Sequence, residues 1–447
     1  MKKIYFILLI VLMGNITNAQ YTKIFDFDGF TSGVPQRSLI SDGTFLYGMT
    51  TYGGTNNMGT VFRILPDGSD YLTLLEFTGA ANGGLPYGSL VTDSTYLYGM
   101  TSEGGLNNMG TIFKIKTDGS SGTTLHNFVY PIAFWPYGSL IYDGTYLYGM
   151  TKGLNVQEGT IFRIMPDGSS YQILLNLTSS TGTLPQGSLI SDDTFLYGMT
   201  RGGGLNGNGT IFKIKPDGSS FVKLLDFDYT TGTTPYGSLI SDGNFLYGMT
   251  QNSGTGSDGT IFKIMTDGSN YEILHGYTDT LGGGDPLGSL IFEGNFLYGM
   301  TSYGGINNMG TIFRLKPDGS DYVKLFEFTG TNGSEPWGSF ISDGNFLYGM
   351  TRYGGTNNSG VIFKYGLVTG ITETNNNTVI NIYPNPTTGK ITIQAEEIER
   401  IEIMDLQGKA VYIGKETKID LSTQPKGIYI IKVITDKQTI TRKVIRQ

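Results

Sequence analysis

Only two histidines and no cysteine stand in this chain of 447 residues. That stock excludes thiolate zinc sites, cysteine nucleophiles and disulfide frameworks, and leaves little for a histidine-based triad. His126 lies in TLHNF and His275 in ILHGY; the matching positions elsewhere hold Phe25, Leu75, Leu175, Leu225 and Phe326. Both histidines are therefore expected to pack rather than react. Gly202, Gly204 and Gly207 spell G-x-G-x-x-G. Strand-forming rather than helix-forming sequence follows them, so the helix N-terminus that a dinucleotide phosphate needs is missing. No H-E-x-x-H or G-x-S-x-G string occurs, and no cofactor or catalytic residue is expected.

The carboxylates fall into two groups. Asp42, Asp93, Asp143, Asp192, Asp242, Glu293 and Asp343 recur at one kind of turn, and Asp67, Asp118, Asp167, Asp217, Asp267 and Asp318 at another. Such rings could collect Ca²⁺, but tight-turn geometry already accounts for acids at these places, and no metal is expected. Glu103, Glu158, Asp258 and Glu335 depart from the pattern. A hydrolase or lyase would draw its acid and base from them, though no fixed pair is visible. A third set occupies the x of a recurring P-x-G: Gln36, Tyr87, Tyr137, Gln186, Tyr236, Leu287 and Trp337. Aromatics and amides of this kind stack on sugar rings and bond their hydroxyls. All but Leu287 are the candidate ligand-binding residues; the competing role is to wedge between neighbouring units.

These residues are positioned by a unit written seven times. LYGMT recurs with its Tyr at 47, 98, 148, 197, 247, 298 and 348, at intervals of 49 to 51 residues. Each unit holds four short strands, exemplified by Ser89–Val91 (a), Tyr96–Thr101 (b), Thr111–Lys116 (c) and Tyr71–Phe77 (d). β-branched and aromatic residues fill them, with Gly, Asn, Asp and Pro between. Asp-Gly between a and b, and between c and d, signals hairpins. A four-stranded meander repeated every ~50 residues is the pattern of a β-propeller. The Gly within strand b, such as Gly48, predicts close approach of a neighbouring sheet. The seventh unit stops after strand c at VIFKYG, while YTKIFDFDGFTSG near the start matches YVKLFEFTGTNGS of the preceding repeat. The first strand is thus expected to complete the last blade and close the ring. In this geometry the a–b and c–d turns share one face, and the longer b–c and d–a loops share the other, where binding surfaces belong. Of the 67 glycines, 62 fall within residues 21–370.

Residues 1–19 read as a secretory signal, with Lys2 and Lys3 before the apolar run Ile4–Met13 and small residues at Thr17 and Ala19. The propeller then spans 20–366, a linker 367–378 and a second domain 379–447. No segment reaches the ~20 apolar residues of a membrane-spanning helix. Net charge is −8 overall but −12 over residues 21–370, which argues against binding nucleic acid. In 371–447 glycine drops to four, and strand-like segments alternate with turns; this predicts a small Ig-like β-sandwich of about seven strands.

The pattern GTIFKIxPDGS…LxxF…PxGSL…LYGMTxxGG resembles the Gloeobacter/Verrucomicrobia-type tandem repeat of exported bacterial proteins. That resemblance covers 21–366 and brings no activity with it. The last domain resembles the type A sorting domain of the type IX secretion system of Bacteroidetes. Its motif residues are Pro384, Asn385, Pro386 and Gly389, then Asp405, Gly408 and Lys409, then Gly427 and Tyr429, and a basic end from Lys443 to Arg446. The resemblance implies passage through the type IX machinery to the medium or the cell surface. The expected fold is all-β, a seven-bladed β-propeller closed by its N-terminal strand and followed by the sandwich. The expected role is a monomeric binding or scaffold module for a glycan or surface protein. A polysaccharide-acting hydrolase or lyase and a purely structural surface protein are the alternatives.

Overall fold

The computed structural model describes residues 20–153, 158–278, 282–367, 381–385, 387–394, 398–405, 409–435 and 439–446. The signal and most of the linker lie outside these residues. The chain divides into two compact units, with the break between Leu367 and Val368.

The first unit is a seven-bladed β-propeller: seven four-stranded antiparallel sheets, six of them in chain order. In blade 1 the strands are Ile40–Ser41, Leu46–Thr50, Thr60–Ile64 and Leu72–Glu76. The seventh sheet is composite. Strands Ile341–Ser342, Phe346–Thr351 and Val361–Gly366 take Tyr21–Asp26 as their outer strand, with Tyr21 opposite Tyr365. There is no single core. Apolar side chains gather at each junction between blades, as where Tyr47, Met49 and Phe77 of blade 1 meet Leu90, Leu97 and Phe113 of blade 2. An equivalent cluster joins blade 7 to blade 1, so the ring is closed by the same burial that builds it.

LYGMT is a structural signature throughout. Leu46, Tyr47 and Met49 are buried. Gly48 lies opposite Phe62 of strand c in its own sheet, and a Cβ on it would sit 2.5 Å from that ring. The close approach is thus made by a ring of the same blade, not by a neighbouring sheet, because Phe62 folds over the space the missing side chain leaves. Thr50 shares a buried hydrogen bond of 2.8 Å with Thr60 across the strands.

Strand a is shorter and starts later than the sequence suggests, at Ile40 or its equivalent. The Ser preceding it bonds around the axis instead. The Ser38 N–H donates to Ser89 Oγ, and so on through Ser139, Ser188, Ser238, Ser289 and Ser339, whose N–H returns to Ser38 Oγ at 2.8 Å. This belt satisfies backbone donors that a ladder would otherwise take.

The second unit is a small sandwich. One sheet pairs Asn381–Tyr383, Lys390–Gln394 and Lys418–Asp420; the other runs Ala410–Gly414, Ile398–Met404, Gly427–Thr435, Thr439–Arg446. Ile391, Ile403, Ile431 and Val444 lie in its core.

Candidate functional site

The two faces of the propeller use their polar groups differently. On the turn face Asp42 Oδ1 accepts the N–H groups of Thr44 and Phe45, each at 2.8 Å, and Oδ2 accepts the Tyr47 hydroxyl at 2.8 Å. The same lock recurs at Asp93, Asp143, Asp192, Asp242 and Asp343. Burial pushes the Asp42 carboxyl up, but the two N–H groups and the tyrosine hydroxyl outweigh it and hold it below the usual range. At the c–d turns Asp67 accepts the N–H and hydroxyl of Ser69. Among the described residues no group of three His, Asp or Glu side chains is placed to hold a metal. His126 stacks on Tyr171, centroids 3.9 Å apart, and His275 on Tyr322 at 3.7 Å. These are the slots where Phe25 meets Tyr71 and Phe326 meets Tyr21.

On the loop face the P-x-G residues gather at the mouth of the axial channel. Gln36, Gln186 and Leu287 are buried; Tyr87, Tyr137, Tyr236 and Trp337 are half-buried. Tyr87 stacks on Tyr137 at 4.6 Å, and Tyr236 meets Trp337 edge-on at 6.2 Å. Cations cover several of these rings: Lys152 lies 4.6 Å from the Tyr137 centroid, Arg37 5.0 Å from Tyr236 and Arg352 3.8 Å from Trp337. Glu335 pairs with Arg352 at 3.5 Å. Burial pushes the carboxyls of Glu335 and Asp285 up, and both are close enough to raise the Tyr303 phenol further. Glu103 acts in the same way on Tyr87 and Tyr137. Asp258 lies near Asp285. Glu158 contributes its backbone carbonyl to Leu184.

Two features of the mouth escape the sequence reading. The residue before each P-x-G (Val34, Leu85, Trp135, Leu184, Thr234, Asp285 and Glu335) has φ between 48° and 56°. This left-handed backbone is costly for β-branched Val34 and Thr234. It is held at both ends: Val34 N–H donates to Ser359 O of the preceding blade, and Val34 O accepts from Thr51 N–H. The sequence argues against it, because the following proline in every repeat favours extended backbone at this residue. The second feature is Arg37. It stands in PQRSL where the other six units have glycine, and its Nη2 reaches across to the Gln186 carbonyl of blade 4 at 3.0 Å. One departure in seven copies was the signal.

In the sorting unit, distant motif residues converge. Asp405, Lys409, Gly427 and Tyr429 line one pocket of about 350 Å³. Lys409 N–H donates to Asp405 Oδ1 at 2.9 Å, and the Tyr429 hydroxyl to Pro425 O at 2.6 Å. Gly389 packs on Ser422, whose carbonyl accepts from Arg446 Nη2 at 2.6 Å. Pro384 and Asn385 lie just after strand Asn381–Tyr383, away from that pocket's lining. Pro386, Gly408 and the Lys443 side chain lie outside the described residues.

No helix among the described residues is long and apolar enough to cross a membrane. In structure the chain is similar to an oligogalacturonate lyase in complex with manganese: 13% identity, 78% of this chain and 93% of that one, TM-score 0.51. It is also similar to a putative 6-phosphogluconolactonase from Bacteroides uniformis ATCC 8492 (13% identity, 88% and 99% covered, TM-score 0.48) and to a chain of a nidogen/laminin complex (15%, 66% and 96%, 0.42). At these identities the first likeness shows the fold alone. Among curated proteins none matches in sequence. The Gloeobacter/Verrucomicrobia repeat matches in three overlapping stretches, 11–155, 136–290 and 241–394, and the secretion system C-terminal sorting domain matches 381–447. With the split seventh blade and the converging sorting motifs, these matches establish that the chain belongs to the Gloeobacter/Verrucomicrobia repeat family and is addressed by a type IX sorting domain to the medium or the cell surface.

Proposed function

We propose that the propeller is a glycan-binding module without catalytic activity, and that the loop-face channel mouth is its site. The observation that carries this reading is a set of unsatisfied buried atoms at the mouth, Gln186 Oε1, Trp337 Nε1 and the Nε atoms of Arg201 and Arg352. Gln186 Oε1 meets no donor and Trp337 Nε1 no acceptor among the described residues. Buried polar groups of this kind are rare and costly. A sugar hydroxyl is both donor and acceptor, so a polyol seated here satisfies both. The half-buried tyrosines beside them supply flat apolar surface for the ring carbons. The test is a glycan array probed with the secreted chain, followed by titration of the Tyr236→Ala, Trp337→Ala double variant. Binding should weaken at least roughly tenfold, the loss expected for one or two good contacts. An unchanged affinity removes the mouth as the site, and release of product from a bound polysaccharide overturns the non-enzymatic reading.

A further inference from the structure

The mouth holds both signs, with Glu103 near Tyr87 and Tyr137 and Glu335 paired to Arg352, but three of its cations make no ion pair among the described residues. The repeat region is acidic, −12 over residues 21–370. Yet Arg37, Lys152 and Arg201 meet there with no carboxylate in ion-pair range among the described residues. Their proximity is traceable through contacts. Arg37 bonds to the Gln186 backbone and covers Tyr236. Tyr236 is close enough to influence Tyr137, the ring beneath Lys152. Burial, and then the charge of Arg201, hold the Lys152 ammonium below its usual range. Lys152 and Arg201, of like sign, repel each other; among the described residues Lys152 meets a ring face, and Arg37 a ring face and one carbonyl. Arg37 is the sharpest sign. In the other units this place requires glycine: at Gly187 a Cβ would lie 2.0 Å from the Gly237 carbonyl oxygen. In blade 1 a long cationic side chain takes that place and crosses the axis.

We propose that this cationic half of the mouth receives the acid groups of the ligand, so that the glycan bound is an anionic polysaccharide. The guanidinium of Arg37 has donors left after its one bond to Gln186, and a carboxylate or sulfate accepts them in a paired geometry. The acid group supplies the ion pairs that Arg37, Lys152 and Arg201 lack among the described residues, in competition with the more distant Glu103, while the sugar hydroxyls meet Gln186 and Trp337. The inference rests on the glycan-binding reading and adds its charge class.

The test titrates the full secreted chain with four probes: oligogalacturonate, dextran sulfate, neutral dextran of equal length and poly-glutamate. Either acid saccharide should bind at least about tenfold more tightly than dextran, and more weakly as salt is raised. The tighter of the two tells carboxylate from sulfate. In Lys152→Gln, Arg201→Gln the preference for acid over neutral saccharide should shrink to less than about threefold, with an unchanged thermal melt. Arg37→Gln serves as an independent second variant. Dextran binding as tightly as the acid probes overturns the charge inference and leaves the glycan reading standing. No saccharide binding at all overturns both, and poly-glutamate binding more tightly than either acid saccharide assigns the site to a protein ligand. A full preference retained in both variants places the anion site elsewhere.

Discussion

The turn face and the loop face of the propeller are drawn from the same seven repeats, but they dispose of their polar groups in opposite ways. On the turn face each a–b turn aspartate accepts two backbone N–H groups and one buried tyrosine hydroxyl, and the arrangement is the same in six blades. These six carboxylates are consumed by the fold. On the loop face the residue after LYGMT reads Thr51, Ser102, Lys152, Arg201, Gln251, Ser302 and Arg352 around the ring; Thr51, Ser102 and Ser302 bond to backbone carbonyls and Arg352 pairs with Glu335, while Lys152 and Arg201 make no ion pair among the described residues. A repeated acid is therefore a worse guide to function here than a side chain that departs from the repeat. Repetition marks what the fold consumes, and departure marks what it leaves over.

The strongest way to break that contrast is to remove one lock and one set of departures in parallel. Asp192 Oδ1 accepts from Thr194 N–H at 2.9 Å and Phe195 N–H at 2.7 Å, and Oδ2 accepts from the Tyr197 hydroxyl at 2.7 Å. Asp192→Ala leaves that buried tyrosine unpartnered and should cost on the order of 2–3 kcal/mol in denaturant unfolding. Asp192→Asn keeps an acceptor for the turn and should cost less. Lys152→Gln with Arg201→Gln should cost far less than Asp192→Ala, because neither side chain makes an ion pair among the described residues and their removal relieves the repulsion between two partly buried like charges. Equal losses on the two faces would erase the distinction.

The architecture was legible because it is repeated. Seven copies of LYGMT gave the blade count, and a missing strand d paired with a spare N-terminal strand gave the closure, which appears as Tyr21 opposite Tyr365. The b and c strands of the second unit, Tyr96–Thr101 and Thr111–Lys116, end where the residue pattern places them. Strand a was misplaced because its serines bond between blades, and no local pattern encodes a partner 50 residues away. The mouth was only half legible. P-x-G located its aromatics, but that Arg37 of blade 1 would cover Tyr236 of blade 5 depends on the ring bringing those blades together at the axis; Lys152 over Tyr137 and Arg352 over Trp337 are contacts within blades 3 and 7. In the sorting unit the three motifs were readable as strings; their meeting at Asp405, Lys409, Gly427 and Tyr429 was not.

The turn-face locks also predict an acid limit. The Asp42, Asp93, Asp143, Asp192, Asp242 and Asp343 carboxyls are all held below their ordinary range. A depressed carboxyl stabilises the fold above its unfolded pKa, about 3.9, and that contribution is lost as pH falls through the lower folded value. The contribution of the locks should thus hold to about pH 4 and fall below it. Asp192→Asn should flatten the fall, whereas the loop-face variant Lys152→Gln, Arg201→Gln should leave it unchanged. A parallel shift in both would mean that the acid response does not belong to the turns.

The smallest expected effect separates packing from chemistry at the histidines, which lie on the outer strands between the two faces. Burial holds both imidazoles below their ordinary value. The neutral ring is the form that stacks, so as pH drops below about 6.5 the unfolded chain takes up protons before the folded one does. Each histidine therefore adds stability above that pH and loses it on the way down. Leucine fills the same slot at Leu75, Leu175 and Leu225, which makes His126→Leu a natural substitution. It should leave stability at pH 8 within about 0.5 kcal/mol of the parent and leave glycan binding untouched. Between pH 6.5 and 5 it should remove part of the decline. A His126→Leu chain that loses binding while keeping its melt would instead put the imidazole in contact with ligand, and function would then extend beyond the loop face.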